Sequence, residues 1–110
     1  MATSTIPCQT ARTASFSIPN GKTLTLTFSA GDAGFILTDG ASANAKGGMI
    51  VYNVSDGGSL SSKLIVNSTS NMTFGDNASA RTITIANSTG YGARAFVTSF
   101  VGAIPSASVS

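Results

Sequence analysis

From Thr23 to Phe28 the chain reads Thr-Leu-Thr-Leu-Thr-Phe, so that every second side chain is apolar and the others are small hydroxyls. A period of two puts all the apolar groups on one side of an extended strand, whereas a helix would scatter them around its circumference. Threonine strengthens the reading, because its branched Cβ is stiff and favours extended backbone. The same alternation recurs with Phe16 and Ile18 against Ser15 and Ser17, with Ile50, Tyr52 and Val54, and with Ile83 and Ile85 against Thr82 and Thr84. No stretch of ten or more residues keeps a helical apolar spacing, and turn signals recur about every eight to twelve residues. The predicted fold is all-β: an antiparallel, jelly-roll-like β-sandwich of about seven to eight short strands, with helices nearly absent.

Pro19-Asn20-Gly21 has strong turn chemistry and predicts a hairpin between the strands on either side. Residues 30–34 read as a loop, 35–38 as a short strand, and 39–48 as the longest irregular and exposed stretch. Strands follow at 49–54, 60–67 and, briefly, Met72-Thr73-Phe74 before a turn at Gly75-Asp76-Asn77. The closing strands are 81–87 and 95–101. The last is apolar on both faces through Phe96, Val97, Phe100 and Val101, which marks it as central, or as pressed between its own sheet and a neighbouring subunit. The predicted domain runs over residues 11–103, after a flexible segment at 1–10. Residues 104–110 are expected as a small-residue tail, frayed or laid across a neighbour.

At 110 residues the chain is one domain by size, and it buries enough surface for one core without metals or disulfides. Charged residues make up only 9% of it, against roughly 25% in an average domain. Its surface must therefore be built from Ser, Thr, Asn, Ala and Gly, which cost less to desolvate than Lys and Glu and favour contact with further copies of the chain. The net charge of +2 comes from six basic residues spaced singly, which argues against a nucleic-acid partner. Cys8 is the single cysteine, so no disulfide forms within the chain. No signal peptide or membrane-length segment is visible, so no membrane insertion is expected. The triplets at Asn53, Asn67, Asn71, Asn77 and Asn87 fit the glycosylation pattern, but such triplets arise by chance in a chain this rich in Ser and Thr.

Reaction chemistry has few players. There is no histidine and no glutamate, and the four carboxylates, Asp32, Asp39, Asp56 and Asp76, each sit beside a glycine, where Asp ordinarily serves the turn itself. Serines abound without a base to activate one, so no catalytic residue, metal ligand or cofactor is expected. The candidate binding feature is Gly90-Tyr91-Gly92-Ala93-Arg94, in which a tyrosine can stack on a sugar ring and an arginine can donate paired hydrogen bonds to hydroxyls. Against it stands a tyrosine that simply lids the end of the sandwich. Asp39, Asn44 and Lys46, in the exposed 39–48 stretch, complete the set of candidate ligand contacts.

Taken in order, "ARTASFSIPNGKTLTLTFSAGDAGFIL", "GGMIVYNV", "NMTFGDNASARTITIANSTG" and "YGARAFVTSFVG" resemble the small all-β domains that end bacteriophage and prophage tail fibres and other receptor-binding proteins. The likeness covers about residues 11–103 and is clearest in the closing pair, "RTITIAN" and the aromatic strand ending "SFVG". It implies a homotrimer carried on the virion, with distal loops touching the host surface, usually a glycan. No ligand residues are shared by position in such domains, and because tail fibres also carry an attachment region and shaft, the chain is expected to be either a fragment of one or a free-standing head-decoration or tip protein. Three functions are weighed: a non-enzymatic attachment domain that binds cell-surface glycan through avidity, a purely structural virion decoration or capping module, and a bacterial carbohydrate-binding or adhesin module.

Overall fold

The structure is a computed structural model and describes residues 11–40, 47–67 and 71–110. It contains nine strands: β1 (Arg12–Ile18), β2 (Thr23–Thr27), β3 (Ala33–Gly40), β4 (Gly48–Val54), β5 (Leu60–Asn67), β6 (Met72–Asn77), β7 (Thr82–Asn87), β8 (Ala93–Val101) and β9 (Ser106–Val109). They form two antiparallel sheets, one ordered β1-β8-β3-β4-β5 and the other β6-β7-β2-β9. The pairings of β1 with β8 and of β2 with β7 are nested, as when one long hairpin is rolled up, and this is the jelly-roll relation. β4 and β5 extend the first sheet as a meander from β3, and β6 returns the chain to the second.

The core lies between the sheets. Leu24, Leu26, Ile83, Ile85 and Met72 from the four-stranded sheet meet Ile18, Ile36, Ile50, Tyr52, Ala95 and Val97 from the five-stranded one, all buried. Phe28, just past β2, sets its ring 4.3 Å from that of Tyr52 and seals one end. The alternation that predicted β2 and β7 is the alternation of their burial, with leucine and isoleucine inward and threonine outward. β8 is central, flanked by β1 and β3.

Four expectations need correction. Asn20-Gly21 does turn the chain, with Gly21 at a φ of 78°, but β1 and β2 lie in different sheets, so the turn is a crossover and no hairpin. Gly75, Asp76 and Asn77 belong to β6, and the reversal comes after them, where Arg81 takes a φ of 57° and Asn77 Oδ1 accepts the Ala80 amide at 3.0 Å. The expected tail contains β9, which pairs with the free side of β2 from Leu24 to Thr27, so the sandwich extends past residue 103. That strand brings the count to nine, above the seven or eight expected.

Candidate functional site

The register of β3 against β8 sets Asp39 opposite Arg94. Their side chains form an ion pair, Arg94 Nη2 donating to Asp39 Oδ2 at 2.7 Å, with the side chains 61% and 50% exposed. The Arg94 guanidinium also stands 5.3 Å from the ring centre of Phe96, two residues along the same face of β8. Two of the sequence candidates thus come together, and each has taken up part of the other's hydrogen-bonding capacity. Asn44 and Lys46 lie outside the described residues.

Tyr91 sits in the β7–β8 loop and is 55% exposed. The loop beneath it is tied down by Asn87, which is buried to 1% exposure. Asn87 Nδ2 donates to Ile18 O and to Tyr91 O, both at 2.8 Å, and its Oδ1 accepts the Thr89 amide at 3.0 Å. From the other side, Asn20 Oδ1 accepts the Gly90 amide at 2.8 Å. An amide committed in this way and shut off from solvent is not open to glycosylation, so the triplet at Asn87 is structural. Tyr91 is therefore a presented aromatic on an ordered rim rather than a lid packed into the sandwich.

Several recesses open on the surface of the described residues, and two concern the site. The first lies at the seam where β5 and β6 pass from one sheet to the other, a crevice of about 180 Å³ lined by Ile50, Ser62, Leu64, Phe74, Asp76 and Ile83. Ser62 Oγ donates to Asp76 Oδ2 there at 2.5 Å, bringing a hydroxyl, a carboxylate and an aromatic edge to one place. Sequence reasoning missed this group because it placed Asp76 in a turn, and only the β6–β7 register shows it as an exposed strand residue beside β5. The second is a shallow, mainly apolar groove of about 510 Å³ on the outer face of the five-stranded sheet, between Leu37, Met49, Val66 and Phe96. Asp32 serves the fold: it is buried at 3% exposure and its Oδ2 accepts the Ser29 amide at 2.8 Å. No three His, Cys, Asp or Glu side chains gather among the described residues.

No protein-family model matches the chain, and no curated protein does either. Among solved structures, 91% of the chain matches 19% of the chain of the tailspike protein gp49 from Acinetobacter baumannii bacteriophage Fri1, a capsular polysaccharide depolymerase, at a TM-score of 0.60. Sequence identity over the match is 13%, so the likeness is one of fold, and the chain spans about a fifth of that protein's length. The β-sandwich described here is thus the fold of a segment of a phage tailspike.

Proposed function

We propose that this chain is a bacteriophage tail-associated attachment domain, carried on the virion as a homotrimer, that holds cell-surface polysaccharide without cleaving it. The observation that supports this most is the fold match to a segment of a tailspike. The residues agree with the non-catalytic part of the reading. Asp32 is hydrogen-bonded to backbone amides, Asp39 is paired with Arg94 and Asp76 accepts from Ser62, and with no histidine or glutamate in the chain the groups that could do acid–base work on a glycosidic bond are few. Binding falls to Tyr91, presented on its fixed loop, with Arg94 and Asp39 at the start of β8 and the end of β3 beyond it. One such shallow site binds a sugar weakly, and three on one particle bind a repeating polymer through avidity.

A purely structural module is the second reading, favoured by the Asp39–Arg94 pair, whose charges already satisfy one another. Titration of the assembled protein with capsular polysaccharide separates the two. Attachment predicts saturable binding, weakened about tenfold or more by Tyr91→Ala at unchanged native mass, with no release of reducing ends. Release of reducing ends contradicts the non-enzymatic reading. Intact oligomers that bind no glycan across a broad array leave the structural module standing.

A further inference from the structure

The two outer faces of the sandwich are chemically opposite. On the four-stranded sheet the outward side chains include Thr23, Thr25 and Thr27 on β2, Thr73 on β6, Thr82, Thr84 and Ala86 on β7, and Ser106 and Ser108 on β9, an uncharged plane made mostly of hydroxyls that water solvates well. On the five-stranded sheet the register places Thr98, Phe35 and Val51 in one row and Phe96, Leu37 and Met49 in the next. Of the nine large apolar side chains that are clearly exposed among the described residues, seven belong to this sheet: Leu37, Val51, Val66 and Phe100 lie on this face, Val101 stands at the end of β8, Ile65 at the register shift of β5, and Leu64, opposite the buried Ile50, turns to the β5–β6 seam. Half of Phe100 and of Val101 stands in solvent, at 51% and 50% exposure, although Phe100 leans on Phe35 with ring centres 5.4 Å apart.

Such a face is unusual on a free surface, where large apolar groups occur scattered and not in adjoining rows. Its layout is that of a protein interface, an apolar centre inside a polar border. The centre spans β8, β3 and β4. The border is Thr13, Ser15 and Ser17 on β1, the Asp39–Arg94 pair at one end and Lys63 on β5. We infer that the outer face of the five-stranded sheet, continuing onto the edge of β5, is the surface through which copies of this chain associate, and that the threonine face remains in water.

Three features point to a second copy as the occupant. The centre of the face carries no charge, and the two charges at its end neutralise one another, so it makes no electrostatic demand of a foreign partner. Its relief is self-complementary: Phe100 and Val101 project near one end, while the hollow between Leu37, Met49, Val66 and Phe96 lies toward the other, so the same face offers both a knob and a hole. Its size suffices: five strands of about seven residues cover roughly 19 Å by 23 Å, and with side-chain relief two such faces clear the roughly 1,000 Å² expected of a specific interface. The edge strand β5 adds a reason of its own. Its Leu64-Ile65-Val66 run is exposed at 38%, 53% and 48%, and a bare aliphatic edge strand is a liability unless something covers it.

This inference rests on the self-assembly part of the proposed function, and one experiment separates the two. Native mass is measured by light scattering for the full chain, for Val51→Lys, Leu37→Lys and Phe100→Ser on the apolar face, and for Thr27→Lys and Thr73→Lys on the hydroxyl face. Circular dichroism accompanies each variant, and all five positions are surface positions that leave the core intact. The expected result is a wild-type trimer of 11.0 kDa subunits, apolar-face variants with native spectra whose association is weakened about 100-fold or more, and hydroxyl-face variants unchanged. A wild-type dimer with the same variant pattern upholds the surface and overturns the threefold reading. A wild-type trimer dissociated by the threonine variants but not by Val51→Lys, Leu37→Lys or Phe100→Ser overturns the surface and spares the trimer. A wild-type monomer at high concentration overturns both.

Discussion

The carboxylate of Asp32 occupies the space that a side chain at Gly102 would need, with Asp32 Oδ1 in the path of any Cβ and Asp32 Cγ only 2.9 Å from it. Asp32 cannot easily retreat, because Ser29 N holds its Oδ2 at 2.8 Å and Ala103 N approaches Oδ1 at 3.3 Å. Gly102 also has a φ of 89°, where a Cβ is strained in open space. Gly102→Ala is expected to cost about 3 kcal/mol, combining backbone strain with the loss of a buried carboxylate's hydrogen bonds, and to lower Tm by more than about 10 °C. Gly90 has nearly the same φ, 88°, and nothing within 4 Å of its Cβ position, so Gly90→Ala should cost only about 1 kcal/mol. Equal losses in urea unfolding of the two variants would sink the steric account.

Asn87 should behave as the keystone of the Tyr91 loop. Asn87→Ala takes a donor from Ile18 O and strands the Thr89 amide, both at buried positions, while Tyr91 O keeps only the Thr89 hydroxyl; the substitution should destabilise by about 3 kcal/mol. Hydrogen exchange should rise at Thr89, Gly90 and Tyr91 before it rises in β2. Uniform loss of protection across both sheets would mean that the residue holds the whole sandwich and not the loop.

Burial pushes the Tyr52 hydroxyl up from 10.0 to about 12, Ser99 pulls against it, and the negative charge of Asp32 adds a smaller upward push. Ser99 spends its own proton on Val101 O at 3.0 Å, and the Tyr52 oxygen is left buried with no hydrogen-bond partner. The folded state therefore keeps its proton where the unfolded chain has released it. Stability is intact below pH 10 and falls as pH rises toward 12, by about 2 kcal/mol from this group. Tyr52→Phe should be within about 1 kcal/mol of wild type at pH 7. The gap between the two should then move in the variant's favour from pH 10 to 12, and parallel alkaline stability curves would rule the explanation out.

Removal of residues 104–110 tests the role of β9. Ser110 and Thr23 exchange backbone hydrogen bonds at 2.9 and 3.0 Å, and the strand shields Leu24 and Leu26, both at 0% exposure. Uncovering one side of β2 should cost about 3 kcal/mol or more through lost ladder bonds and exposed leucine, with a matching drop in Tm. A truncated chain that melts with wild type would restore the expectation of an idle tail.

Local alternation made the strands legible wherever it placed large apolar groups. Leu24, Leu26, Ile83 and Ile85 announced β2 and β7, and the two-faced apolar content of Phe96, Val97 and Phe100 announced that β8 is central. Ser106 and Ser108 alternate with Ala107 and Val109, a signal too small to stand out, and β9 exists because β2 would otherwise present a bare edge. The same non-local choice explains Asn20-Gly21: the dipeptide fixes a reversal, but which strands pair is decided by β7 and β8, more than sixty residues on. At the site, Asp39 and Arg94 were readable singly and their pairing was not, since it follows from the β3–β8 register. Asp76 reads as a turn residue and Asn87 as a strand end until their neighbours are known, so neither the seam carboxylate nor the buried amide was legible.

The nesting of β1 with β8 and of β2 with β7 has a consequence for biogenesis. The first two strands have no sheet neighbours until β7 and β8 have left the ribosome, so the wrap closes only after they emerge, on contacts between distant parts of the chain. A slow-closing chain carrying aliphatic edges gains from meeting its siblings only after that closure, when the correct face is complete and the wrong ones are hidden.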